Sequence, residues 1–275
     1  GKIQEKYYNQ ENEKMYLQQP YNQDKFFGSL SKMFNYFIKC DELEQLPNAA
    51  GKVVVKYRPE TSDLLSRVRI NLVSGGVTYF NEGNDAKAFD FFSQYIDVAD
   101  VPLLAAYNLA ETDTLLHEIA YYATLAGLKM EDYNKALKYV DLAMNKADIA
   151  EKAIEYKALS YINLGDTANW LNTLKVGVEK YPEVQYFYSN LISYYNTNGN
   201  TDELMAFADE MAAMMNAANK AYKDQKAKEE EEARKAELKK AADLQKAADL
   251  QNILDQFAVW FAQYYDVDES AWEVI

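Results

Sequence analysis

Three pairs of residues recur at one spacing: Tyr161 and Tyr195, Gly165 and Gly199, Asp166 and Asn200, each pair 34 positions apart. A fixed period of this length is the mark of stacked helix–turn–helix units, none of which can bury its apolar face alone. It limits the fold more than any single residue does. The first copy runs from Ala153 to Pro182 and the second from Glu183 to about Met215.

In the first copy Ile154, Ala158 and Tyr161 follow i, i+4, i+7 spacing and share one helix face. Gly165 then stops the helix, because the left-handed conformation that ends one costs least for Gly. Asp166 or Thr167 can cap the next helix. Trp170, Leu174 and Gly177 repeat the spacing, Val178 adds apolar surface, and Gly177 lets a neighbouring helix approach closely. Tyr181-Pro182 closes the unit, since Pro cannot continue a helix. The second copy repeats the scheme with Tyr188, Leu191, Ile192 and Tyr195, then Asn198-Gly199-Asn200, then Leu204, Ala208 and Met211.

These landmarks resemble the tetratricopeptide repeat (TPR) family, whose pattern Ala158, Tyr161, Gly165, Leu174, Gly177 and Pro182 match. Trp170 stands where that family prefers Ala, which implies a splayed repeat or an aromatic filling a gap at its neighbour. Gly76, Tyr79, Gly83, Ala88 and Phe92 mark an earlier copy, with Pro102 two residues late. Tyr133, Ala136, Val140 and Ala143 match the back half of another. Its front half, His117 to Leu128, reads as out of register, because Gly127 falls where the aromatic belongs. A longer first helix and an altered turn are expected there, after a distorted linker at Asp100 to Thr114. The resemblance covers residues 64–215 and implies an all-α fold, a TPR-like α-α superhelix of about four repeats, with a long C-terminal helix.

Residues 1–63 read as an N-terminal helical cap and linker. Gly1 to Gln23 is a polar helix or arm broken at Pro20. Asp24 to Asp41 is a helix, with Phe27, Leu30, Phe34, Phe37 and Ile38 on one stripe. Val53-Val54-Val55 is the only strand-like run and is too short to make a sheet. Gly51-Lys52 lacks the second Gly and the Ser/Thr of a phosphate loop. Arg58-Pro59 suits a helix start. Residues 216–275 read as a long charged helix followed by an amphipathic capping helix. Its stripe of Leu250, Ile253, Leu254, Phe257, Trp260, Phe261 and Tyr264 is expected to fold back on the last repeat. The competing reading is a homodimer through 250–264. Within this segment Lys240–Gln245 is duplicated as Lys246–Gln251, a six-residue step that puts Leu244 and Leu250 on different faces.

The formal net charge is −14. Residues 216–255 hold nine basic and nine acidic side chains, so the excess acid lies elsewhere. An acidic surface argues against nucleic acid, whose phosphates need positive charge. No apolar run reaches the length of a membrane span. One cysteine, Cys40, cannot form an internal disulfide and reads as a buried apolar residue. The start at Gly1 suggests a trimmed leader or lipid-attachment segment. The expected location is exported, periplasmic or at the cell surface, with the cytoplasm as the alternative.

Nothing in the sequence reads as an active site, and no cofactor or metal is expected. His117 is the single histidine and cannot build a histidine metal site. Asp266, Asp268 and Glu269 lack the Gly and the distal Glu of a calcium loop. The expected function is therefore protein or peptide binding. In the family resembled, the first helices of successive repeats line a groove that receives an extended peptide or a partner's helix. Carried onto this chain, the groove takes Lys152, Glu155, Leu159 and Asn163 from one repeat and Tyr186, Ser189, Ser193 and Asn196 from the next. The set lacks the dense basic array that would clamp a terminal carboxylate. Two alternatives are a cell-envelope lipoprotein binding glycans through aromatics such as Trp170, Trp260 and Trp272, and a homo-oligomerising spacer.

Overall fold

A computed structural model describes residues 1–265, and every regular element among them is helical. They fall into two units, residues 1–199 and residue 200 onward.

The first unit opens with α1 (Lys2–Tyr16) and α2 (Gln23–Glu44). The turn between them ends where the Asn22 side chain accepts a hydrogen bond from the Lys25 backbone N–H at 2.8 Å. Helix α2 buries Phe26, Phe27, Leu30, Met33, Phe34 and Phe37, an i, i+3, i+4 stripe. Tyr8 of α1 stacks on Phe26 with ring centroids 5.0 Å apart. The opening stretch is thus a packed helix, not an arm. Residues 45–57 are irregular, and Val53, Val54 and Val55 are exposed within them. Cys40 is half-buried, short of the full burial its residue type suggests. Helix α3 (Arg58–Val68) starts with Pro in its first turn. Arg58 joins it to α2 through two hydrogen bonds to the Asp41 carboxylate, at 2.6 and 2.7 Å.

Three helix pairs and a further first helix follow. They are α4 (Ile70–Asn81) with α5 (Asp85–Asp97), α7 (Leu116–Lys129) with α8 (Tyr133–Ala143), α9 (Ala147–Asn163) with α10 (Thr167–Lys180), and α11 (Gln185–Thr197). One turn recurs after each first helix. Its left-handed residue is Gly83 (φ 74°), Glu131 (φ 57°), Gly165 (φ 73°) and Gly199 (φ 69°). In the first three turns the amide of the next residue donates back five positions: Asn84 to Tyr79, Asp132 to Gly127 and Asp166 to Tyr161, at 2.8, 3.0 and 3.0 Å. This is the closure that satisfies helix-end carbonyls. The same three residues then cap the second helix, accepting from Lys87, Lys135 and Asn169 N–H.

The structure therefore corrects the reading of His117 to Leu128. That helix is in register and is not lengthened; Glu131 stands 34 residues before Gly165 and takes the left-handed conformation that Gly takes elsewhere. Gly127 replaces an aromatic for a packing reason. A Cβ there would lie 2.5 Å from the Ala136 backbone nitrogen, so α8 crosses α7 too closely for any side chain. At Gly177 a Cβ would meet the Phe187 ring at 2.3 Å, which is the close approach its sequence position implied.

The stack is interrupted between α5 and α7 by residues 98–115, which hold two 3-10 turns and the short α6 (Leu109–Thr112). The insertion is pinned by Arg69, which is 4% exposed. Its guanidinium lies 3.6 Å over the Tyr95 ring, donates to the Tyr95 carbonyl at 2.8 and 3.2 Å, and pairs with Asp113. The Tyr95 hydroxyl donates to the same Asp113 oxygen at 2.6 Å.

The second unit is one helix among its described residues, α12 (Thr201–Tyr265), of 65 residues. At 1.5 Å per residue it is about 98 Å long. Residues 201–265 contain neither Gly nor Pro, so nothing in the chain breaks it. The boundary expected near residue 215 is absent as a break. The separate capping helix expected at 250–264 is absent too: the stripe begins about 75 Å along an unbroken helix from Thr201, and folding back would require a turn that this helix does not contain.

Candidate functional site

Once Glu131 is recognised as a turn residue, the first helices can be aligned on their left-handed residues. Thirteen positions before each stand Ile70, Glu118, Lys152 and Tyr186; ten before, Val73, Tyr121, Glu155 and Ser189; six before, Val77, Leu125, Leu159 and Ser193. Positions 3 and 7 apart lie on one helix face. The four helices therefore carry one equivalent face. Its chemistry changes along the chain: aliphatic on α4, aromatic and charged on α7 and α9, hydroxyl-bearing on α11. Ile70, Val77 and Leu159 leave 47%, 41% and 40% of their surface in water.

The centre of this face is built on α7, α9 and α11. Tyr121 stacks on Tyr156, centroids 5.7 Å apart and planes 24° apart, and donates a long hydrogen bond to its hydroxyl at 3.5 Å. Burial, the Tyr156 hydrogen bond and the Glu155 charge push the Tyr121 hydroxyl up to about 12, with Lys152 opposing. Lys152 and Glu155 form an ion pair one turn apart. The Tyr186 hydroxyl is raised by burial first and by Glu155 second, so the carboxylate acts on the first helix of the next repeat. Glu118, next in the same row, pairs with Lys146 at 2.9 Å.

Of the residues assigned to the groove from sequence, Lys152, Glu155 and Tyr186 form one electrostatic cluster. Leu159 lies exposed one turn on, and Ser189 and Ser193 are half-buried and exposed. Asn163 turns back to its own helix, its side-chain amide donating to the Leu159 carbonyl at 2.7 Å. Asn196 is exposed, and its carbonyl accepts from the Gly199 N–H that closes the turn. Tyr121 and Tyr156 were missed; subtracting 34 from Glu155 gives Tyr121 directly.

Other singled-out residues have packing roles. His117 is half-buried, with Nδ1 2.9 Å from the Leu142 carbonyl of α8. Trp170 is 7% exposed and meets Tyr194 edge-on at 5.6 Å, so its faces are not open to a sugar. Asp266, Asp268, Glu269 and Trp272 lie outside the described residues. No helix among the described residues is long and apolar enough to cross a membrane. No protein-family model matches the chain, and no curated protein matches it either.

Proposed function

We propose that the chain is a TPR-like helical repeat protein, a non-catalytic scaffold that holds a segment of a partner protein along the face shared by α4, α7, α9 and α11. The observation that carries this reading is the common register of that face. Four helices present equivalent positions, and at those positions stand half-exposed Ile70, Val77 and Leu159, together with Tyr121, which stacks on Tyr156. Exposed aliphatic and aromatic groups in a row suit a bound polypeptide, whose side chains alternate in chemistry along its length. The change from aliphatic through aromatic to hydroxyl favours a segment that is apolar at one end and polar at the other. A regular glycan would meet a repeating set of groups instead, and Trp170, the repeat tryptophan, is packed away.

The test is a displayed peptide library selected on the full chain, with the enriched peptide's affinity measured by calorimetry. Val77→Asp and Leu159→Asp each replace an exposed apolar contact, so folding should survive, as an unchanged melting profile would verify. Each is expected to weaken binding by about tenfold or more, about 1.4 kcal/mol. Failure to enrich any peptide, or native affinity in both variants, would show that this face is not the binding surface.

A further inference from the structure

Helix α12 combines two chemistries. From residue 216 to residue 249 its large side chains are mostly charged, and from Leu250 on they are mostly apolar. Leu250, Ile253, Leu254 and Phe257 follow i, i+3, i+4, i+7 spacing and so share one face. They remain 58%, 62%, 53% and 52% exposed. A contiguous apolar stripe of this kind is unusual on a surface that has no partner.

We propose that this stripe is a self-association surface, and that two copies of the chain pair antiparallel through residues 250–261. Three features point to a second copy. The first is area. With roughly 100 Å² left in water on each of the four side chains, a pair of helices buries at most about 800 Å² from these side chains, below the roughly 1,000 Å² of a stable interface and so in the range of weak, transient pairing. The dimer expected is therefore a weak, reversible one that forms as concentration rises. The second is charge. The chain carries −14, which keeps copies apart in general. Residues 250–261 carry a single charged side chain, Asp255, two positions from Phe257 and so off the stripe, and two copies meet there with little of that penalty. The third fixes the orientation. Lys246 and Lys239 lie eleven and eighteen residues before Phe257, about three and five helical turns, and so continue the same face. A parallel pair would run its seam through them and set each lysine against its own copy. An antiparallel pair through 250–261, with its two-fold between Asp255 and Gln256, sets Leu250 against Phe261 and Leu254 against Phe257 and leaves both lysines outside. The result is a two-fold interface in which one surface meets itself.

Light scattering on the full chain across the micromolar range, compared with the Ile253→Glu/Phe257→Glu variant, tests the surface. The expected result is a concentration-dependent dimer for the native chain and a monomer at every concentration for the variant, with equal helix content. A native chain that stays monomeric, or a variant that still dimerises, overturns the proposal. Orientation is read from a spin label on Cys40→Ser/Gln245→Cys, which is off the stripe. Antiparallel pairing through 250–261 separates the two labels by about 32 Å along the helix axis, between ten and eleven residues on each side. A distance near the width of two packed helices would mean parallel pairing and would refute the antiparallel arrangement.

Discussion

Replacing Glu131 by Gly should make the repeat unit more stable. Glu131 sits at φ 57°, in the turn where Gly83, Gly165 and Gly199 adopt 74°, 73° and 69°. A non-glycine residue pays about 1–2 kcal/mol for the left-handed region, because its Cβ approaches the following carbonyl oxygen. Glycine returns about 0.5–1 kcal/mol of that through the greater freedom of the unfolded chain. The net gain for Glu131→Gly is therefore about 0.5–1 kcal/mol. For a unit near 200 residues this raises the melting temperature by about 1–4 °C. The matching change in the opposite direction, Gly165→Ala, imposes the same strain where none exists and should cost about 1 kcal/mol. Glu131→Ala serves as the control, since it removes the side chain and keeps the strain, and should leave stability nearly unchanged. The assay is thermal and urea unfolding of the full chain followed by circular dichroism. If Glu131→Gly melts at or below the native chain, then Glu131 is not held in the glycine conformation. The alignment of α7 with α9 and α11 then fails, and the shared face built on it fails too.

Two further outcomes follow from buried charge. The Glu11 carboxylate is 1% exposed, accepts from the Asn22 N–H at 2.9 Å and from Lys25 and Lys14, and is lowered from 4.5 to about 2, chiefly by the Asn22 hydrogen bond. A depressed folded value stabilises the fold above the unfolded pKa. That stability should be present above pH 4.5 and be lost as pH falls towards about 2; Glu11→Gln should flatten this part of a urea-midpoint profile against pH. Arg69→Met leaves Asp113 without its cation beside a buried tyrosine. Burial opposes the Asp113 charge, while hydrogen bonds from Tyr95, Arg69 and the Leu115 N–H hold its carboxyl below the ordinary value. Removing one member should cost about 3–5 kcal/mol, and Arg69→Met/Asp113→Leu should recover much of it. Equal destabilisation in the single and double variants would mean that packing of the arginine stem, not charge, fixes the insertion.

The turns were legible because their chemistry is local. A left-handed glycine followed by Asp or Asn is a two-residue signal, and its recurrence gave the helix pairs from Leu64 on. Glu131 defeated that signal because only its Asp132 cap, 34 residues before Asp166, remained to mark the turn. The groove was accordingly read from α9 and α11 alone, and Tyr121 and Tyr156 were left out. Gly127 misled for a tertiary reason: its partner is the backbone of Ala136, which no helix periodicity reveals. Arg69 and Asp113 are 44 positions apart, and neither lies in a motif. The amphipathic stripe at 250–264 was legible as a face that demands burial, but a burial demand does not name the surface that meets it.

Helix α12 shows why that distinction matters. Its middle is held by local terms that need no partner: Glu231 pairs with Lys235 at 2.6 Å, and Gln225, Gln245 and Gln251 donate to Glu229, Asp249 and Asp255, each at 2.9 Å and one turn on. Such pairs contribute about 0.2–0.5 kcal/mol each. With no Gly or Pro to interrupt it, the helix propagates once started, because each added residue gains a hydrogen bond without a new nucleus. None of these terms calls for leucine, isoleucine or phenylalanine at positions 250–257: lysine or glutamate would sustain the helix as well as leucine, and alanine better than isoleucine or phenylalanine. The apolar side chains there meet one another one turn apart, as Phe257 meets Trp260 and Phe261 with ring centroids 5.8 and 6.1 Å apart, and such pairs add only about 0.2–0.5 kcal/mol each while leaving most of the apolar surface in water. Burial in a contact such as the pairing proposed above is the term that would favour them, since Leu250, Ile253, Leu254 and Phe257 keep more than half of their surface in water.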